Sequence, residues 1–592
     1  MKKILLYINL FFAWAVFSQN DQLALNYFDK GDFEKAKLSY EELLKSQPGN
    51  GFYFQKLIDS YQQLQQYDLS ERMIQDRINK FQQGSLLVEL GYNYQLRKDE
   101  SKAKRYYNEA LDKIKKNPNE VYAIASVFER KVLIDYALQA YQLAISIEPK
   151  FNFNFQMAML YGQLGNTTMM IEKFLTEAQA NPQNTIVIQN QLTRFMTEDG
   201  EATFNESLRK ALLLRAQKDQ DIFWNQFLSW FYVQQKEYGK AFIQEKAIYR
   251  RDPETFSNIV NLAQLAVEEG DPETAKEIFT FVLDNTRDID LLIQSHYYLI
   301  EMRINSATEK ELKPIETELA LRLKEFGVSP YSLSLQILNA HFLTFNMKNP
   351  EQGKMILKTA LELPLNKYQI AEVKMELADI LLFEEKFNQA LIYYSQIEED
   401  LKNDVVGHEA SLKAAKTSYF KADFLWAQKQ FKELKSASTQ LIANDALEYF
   451  LLINDNTVAD STQTALKKFA RADYLLYQNK NTAALAQFQS ILKEFKGQEI
   501  EPVTLLRLGK AYEKLNDYNL ALNQYQEIID KHPECIYIDE ALYFSAELYN
   551  KKLNVPEKAK PLYEKILFGH EDSIYFIDAR KKFRQLRGDS NL

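Results

Sequence analysis

Apolar positions along this chain recur at helical spacing and not in the alternation of a half-buried strand. Between Glu501 and Glu534, Leu505, Leu508, Gly509 and Tyr512 fall on one stripe. Asn516-Asp517 interrupts it, and Leu520, Ala521, Tyr525 and Ile528 form a second stripe that Pro533 ends. This spacing predicts two amphipathic helices joined by a tight turn. The same figure stands near the N-terminus: Leu23, Ala24 and Tyr27, then Gly31-Asp32, then Phe33, Ala36, Tyr40, Leu43 and Pro48.

The second stripe carries a marker that can be followed along the chain. A small residue is followed four positions later by an aromatic one at Ala36/Tyr40, Ala103/Tyr107, Ala137/Tyr141, Ala275/Phe279, Ala390/Tyr394, Ala427/Phe431, Ala484/Phe488, Ala521/Tyr525 and Ala559/Tyr563. Four residues is about one helical turn, so each pair shares a face. The small residue admits a neighbouring helix, and the ring fills the space beside the contact. The period is about 34 residues in the first half and about 37 in the second. It fails at 184–220, 290–335 and 436–466, where helical pattern persists. A period in this range marks stacked helical units.

These motifs resemble the tetratricopeptide repeat family, whose units have Leu-Gly or Leu-Ala then Tyr in the first helix, and Ala, an aromatic and Pro in the second. The resemblance covers most of residues 20–570. It implies an all-α solenoid of helical hairpins, a right-handed superhelix of about fifteen helix pairs. Five segments follow: 1–18, a signal peptide; 19–185, an N-terminal array; 186–335, degenerate units; 336–460, longer-period units; and 461–592, a C-terminal array with a basic final helix. In the family the inner groove is lined by the first helix of each unit. Repeat register places Asp379, Asp473, Lys510 and Glu513 there as candidate partner-binding residues. The resemblance implies a non-catalytic scaffold that presents a concave face to a protein or peptide. The C-terminal units also resemble repeats of envelope assembly and cell-wall coordination proteins, which points to an outer-membrane assembly, secretion or surface-motility complex. A binding module for envelope polysaccharide or peptidoglycan is the alternative.

Composition agrees with a helical array: 17 Gly and 14 Pro in 592 residues leave few tight turns for long sheets. Lys2-Lys3, the apolar run from Ile4 to Phe17 and Val16-Phe17-Ser18 before Gln19 read as a cleavable signal peptide. The run is short for a bilayer span. Its style resembles exported proteins of Gram-negative bacteria, so a periplasmic location is expected, with peripheral association at the outer membrane left open. A net charge of −9 argues against nucleic acid as partner. Arg580, Lys581, Lys582, Arg584 and Arg587 are a local basic exception, either a solvated end cap or a docking patch. Cys535 is the only cysteine, which excludes an internal disulfide.

The chain offers no pattern for catalysis, metal or cofactor. His296, His341, His408, His532 and His570 include no pair at metal-ligand spacing, and no His-Glu-x-x-His occurs. Gly239-Lys240-Ala241, Gly353-Lys354-Met355 and Gly509-Lys510-Ala511 lack the hydroxyl of a phosphate loop. Ser-x-x-Lys at Ser101, Ser207, Ser418 and Ser490 comes without the companion motifs of serine hydrolases. Asp460-Ser461-Thr462 and Asp572-Ser573-Ile574 resemble acceptors for O-linked glycans in one group of Gram-negative bacteria. They make Ser461 and Ser573 candidate glycan acceptors, and helix capping is the alternative reading of both.

Overall fold

The computed structural model describes residues 20–588 apart from 197–200, 220, 254–255, 438 and 459–461. The expected leader over 1–18 and Ser461 lie outside the described residues. All regular structure among the described residues is helical. Residues 20–29 pair with Phe33–Ser46 as the first of fifteen hairpins among the described residues, with two extra helices, Gln440–Val458 and Phe576–Arg587. The chain divides into two compact units, one ending at Arg215 and the other starting at Ala216.

One turn recurs between the helices of a hairpin. A residue with positive φ stands just before the second helix, as at Gly31, Lys98, Val132, Gly270 and Asn516. An Asp or Asn side chain often follows and accepts from the first turn, as Asp32 does from Lys35 N, Asp99 from Lys102 N and Asp271 from Thr274 N. The hairpins therefore start at fixed points, and their small and aromatic residues meet in register. Every alanine and every ring of the nine pairs is buried. Leu23 and Leu520, read from sequence as stripe residues, point outward, while Ala24 and Leu522 are buried instead.

In the first unit, Ala24, Ala36, Tyr40, Leu43, Tyr53, Leu57 and Tyr61 make one core cluster. Charged residues tie successive first helices together. Lys131 Nζ is 2.7 Å from Asp59 and 3.3 Å from Glu89, and Arg130 reaches Glu89 at 2.5 Å. In the second unit, the failed spacing near 436–466 has a structural cause. Gln440–Val458 is a helix without a hairpin partner of its own, packed on Phe424–Ala437. The next hairpin then reaches back over it. The Tyr474 hydroxyl donates to Leu382 O at 2.5 Å, Tyr477 to Asp379 O at 2.9 Å, and Gln478 Nε2 to Phe383 O at 2.7 Å. These donors clasp the C-terminal turn of Lys367–Phe383.

Candidate functional site

The clasp bounds a cleft of about 550 Å³ in the second unit. First helices of the hairpins supply most of its wall. Leu333–Phe345 contributes His341 and Phe345, and Lys367–Phe383 contributes Asp379 and Leu382. Val405–Phe420 contributes Lys413, Lys416 and Phe420, and Ile500–Lys514 contributes Arg507 and Lys514. Thr464–Tyr477 adds Asp473 and Tyr477, and the extra helix adds Tyr449. Helical spacing explains the pairs: Lys413/Lys416 lie one turn apart, and Asp473/Tyr477 likewise.

The charges are mostly matched inside the cleft wall. Asp379 accepts the Tyr394 hydroxyl at 2.5 Å and Lys413 Nζ at 2.6 Å. Burial works against the Lys413 charge, yet Asp379 and Glu409 outweigh it and raise its pKa. Lys416 meets Asp445 at 3.2 Å, and Arg507 Nη2 donates to Glu448 at 2.6 Å. Asp473 is 8% exposed. It accepts the Tyr419 hydroxyl at 3.2 Å and lies 3.7 Å from Arg507 Nε. Burial pushes its carboxyl above the ordinary range, against the pull of Arg507. Lys514 is exposed at the cleft and forms no ion pair among the described residues. Rings line the rest: Phe345 packs edge-on against Tyr477 at 5.7 Å and 89°, and stacks on His341 at 4.4 Å and 21°. The arrangement suits recognition of a polar, charged surface. It brings no nucleophile and base together.

The structure brings two of the four sequence candidates into this cleft, Asp379 and Asp473. The other two stand elsewhere. Lys510 pairs with Glu540 at 3.0 Å and lies over the Phe544 ring. Glu513 accepts the Tyr525 hydroxyl, and burial raises its carboxyl above the usual range. Register alone missed Lys413, Lys416 and Arg507, which stand on the first helices Val405–Phe420 and Ile500–Lys514. Ser573 sits in the bend before the final helix, where its hydroxyl accepts from Tyr575 N at 3.2 Å. In the basic final helix, Lys582 is tied to Glu547 and Asp578. Cys535 is half-buried, and burial raises its thiol pKa.

Models of the tetratricopeptide repeat match residues 20–50 and 504–534. Between these segments, the alanine and aromatic pairs at Ala103/Tyr107, Ala137/Tyr141, Ala275/Phe279, Ala390/Tyr394, Ala427/Phe431 and Ala484/Phe488 are likewise buried. A comparison with curated proteins returns no match. Solved structures similar to the chain include Naa15/Naa10 bound to HypK-THB, at 12% identity and TM-score 0.30 over 97% of each chain. The APC/C hetero-tetramer Cut9-Hcn1 is similar at 12% identity and TM-score 0.24, over 90% of this chain and 96% of that one. Yeast Tom70 is similar at 14% identity and TM-score 0.30, over 85% of this chain and 99% of that one. Among the described residues, no helix is long and apolar enough to cross a membrane.

Proposed function

We propose that the chain is a non-catalytic protein–protein interaction scaffold of the bacterial cell envelope, and that a partner segment binds in the cleft between Asp379 and Lys514. One observation supports this most: first helices of successive hairpins converge on a single cleft walled by rings and by paired charges, with Lys514 left open. Paired charges among the lining rings favour a peptide carrying charges of its own over a sugar. The envelope context rests on Lys2-Lys3, the apolar run and the small-residue end before Gln19. N-terminal sequencing of the cell-derived protein should begin at Gln19, and intact Met1 in the cytoplasm would remove that part. O-glycosylation at Ser573 belongs to the same context, and a mass shift on its peptide tests it.

A photo-crosslinking residue at Asn479 or Lys514 should trap a partner protein in cells. The same residue at Leu38, exposed in the first unit, is the control. Lys416→Glu with Lys514→Glu should weaken capture while leaving helicity unchanged. Adducts at Leu38 and none in the cleft would move the binding surface elsewhere.

A further inference from the structure

A second cleft, of about 640 Å³, lies in the first unit between Phe33–Ser46, Gly51–Gln63 and Tyr67–Phe81. Its volume falls within the roughly 300–1,000 Å³ of small-ligand sites. Leu44, Phe54, Leu57, Met73 and Phe81 make the lining largely apolar. Arg77 is set into it. The guanidinium carbon stands 4.1 Å from the centre of the Phe54 ring and 5.4 Å from that of Phe81. Among the described residues its one hydrogen bond runs to Gly49 O at 3.4 Å. No carboxylate lies within ion-pair distance of it among the described residues, and burial lowers its pKa. Of the neighbouring carboxylates, Glu41 is engaged by the Tyr61 hydroxyl at 2.7 Å and Asp76 is exposed at the rim, where Lys45 and Lys80 add two cations.

A half-buried cation normally finds a carboxylate. A comparable groove in the second unit does so: Lys246, stacked on Phe242 at 4.1 Å, meets Glu277 at 3.2 Å. At Arg77 the rings hold the guanidinium plane and leave its donors largely unused. Those donors match a carboxylate in two-pronged geometry. The apolar side chains below offer no partners for peptide amides, which would be buried unpaired. An alkyl chain has no such need.

We propose that this cleft binds a single-chain amphiphile with a carboxylate head, its chain on Leu44, Phe54, Leu57 and Phe81 and its head on Arg77. The site is separate from the partner cleft of the second unit. The test is calorimetric titration of the full chain with dodecanoate, dodecanol and dodecyltrimethylammonium, each below its aggregation threshold. Dodecanoate should saturate at one equivalent per chain and bind at least tenfold tighter than either other probe. Arg77→Leu should remove that preference while leaving dodecanol binding unchanged, and Leu44→Trp should block both, with circular dichroism as wild type. Absence of saturable dodecanoate binding to the wild type overturns the proposal, as does equal binding of the cationic amphiphile, which needs no variant. Dodecanoate binding that survives both substitutions also overturns it. So does a partner protein crosslinked at Lys80 where dodecanoate does not bind.

Discussion

The Tyr525 hydroxyl donates to the Glu513 carboxylate, twelve residues upstream on the other helix of its hairpin. The same step joins Tyr107 to Gln95 at 2.7 Å and Tyr141 to Glu129 at 2.6 Å. Where the repeat carries phenylalanine, at Phe279, Phe431 and Phe488, the residue twelve positions back is Val267, Tyr419 or Leu476. Tyr40 has Phe28 at that place, and its hydroxyl is buried without a partner among the described residues. Tyr394 and Tyr563 find their acceptors at fifteen and sixteen residues, Asp379 and Glu547, the latter just before a π-helical turn at Leu548–Lys552. Five of these six tyrosines thus find an acceptor on the facing helix, twelve to sixteen residues upstream.

Glu513→Leu should leave the Tyr525 hydroxyl buried and unpaired, at a cost of about 1–3 kcal/mol. Adding Tyr525→Phe should recover at least half of the loss, because both polar groups are then gone. Hydrogen exchange of the Tyr518–Lys531 amides reads the local stability. Equal exchange in the single and double variants would refute the coupling.

Gly509 faces the same ring. A Cβ there would run into Tyr525. Gly509→Ala should therefore destabilise its hairpin by about 1–3 kcal/mol through overpacking. Gly239→Ala is the matched control, since the nearest atom to its Cβ is Thr274 Oγ1 at 3.8 Å. It should be neutral or stabilising by up to about 1 kcal/mol, the ordinary helical preference for alanine. Thermal unfolding of both variants beside the wild type makes the comparison.

Val132 holds φ +57° in a hairpin turn and is 72% exposed. A β-branched residue pays roughly 1–2 kcal/mol in that conformation, and glycine returns about 0.5–1 kcal/mol of it through unfolded-state entropy. Val132→Gly should stabilise the first unit by about 0.5–1 kcal/mol, seen as a higher denaturation midpoint. A lower midpoint would mean that the turn is not strained.

His341 Nδ1 lies 3.0 Å from Glu376 in the cleft. Burial alone would lower the imidazole pKa, but the Glu376 carboxylate outweighs it and the ring titrates above its ordinary 6.5. The folded state then holds the proton more tightly than the unfolded one. The stabilisation is complete below the unfolded value and is lost as pH rises through the folded value. His341→Gln should cost stability at about pH 5.5 and little at about pH 9. Denaturation of both proteins at the two pH values checks the sign.

The hairpins were legible because their marker is local: Ala521 and Tyr525 reveal a face within one turn of helix. Where a charged residue of the first helix points was less so. Glu513 and Asp379 share the periodicity of groove residues, yet each serves a buried tyrosine, and the clue was the tyrosine twelve to sixteen residues on. Asp473 occupies a groove position and is nonetheless covered, because Tyr419, Arg507 and, from the extra helix Gln440–Val458, Glu448 and Tyr449 stand around it. No local pattern announces contacts such as Tyr474 to Leu382, which span ninety-two residues.

Those contacts change how the chain would respond to being cut. In a simple stack each hairpin holds only its neighbours, so a nick in one turn would let the two sides drift apart. Here Tyr474, Tyr477 and Gln478 grip the end of Lys367–Phe383 from beyond four intervening helices. A protease that cleaves near 402–404 would leave two pieces still fastened to each other, migrating as one until denatured.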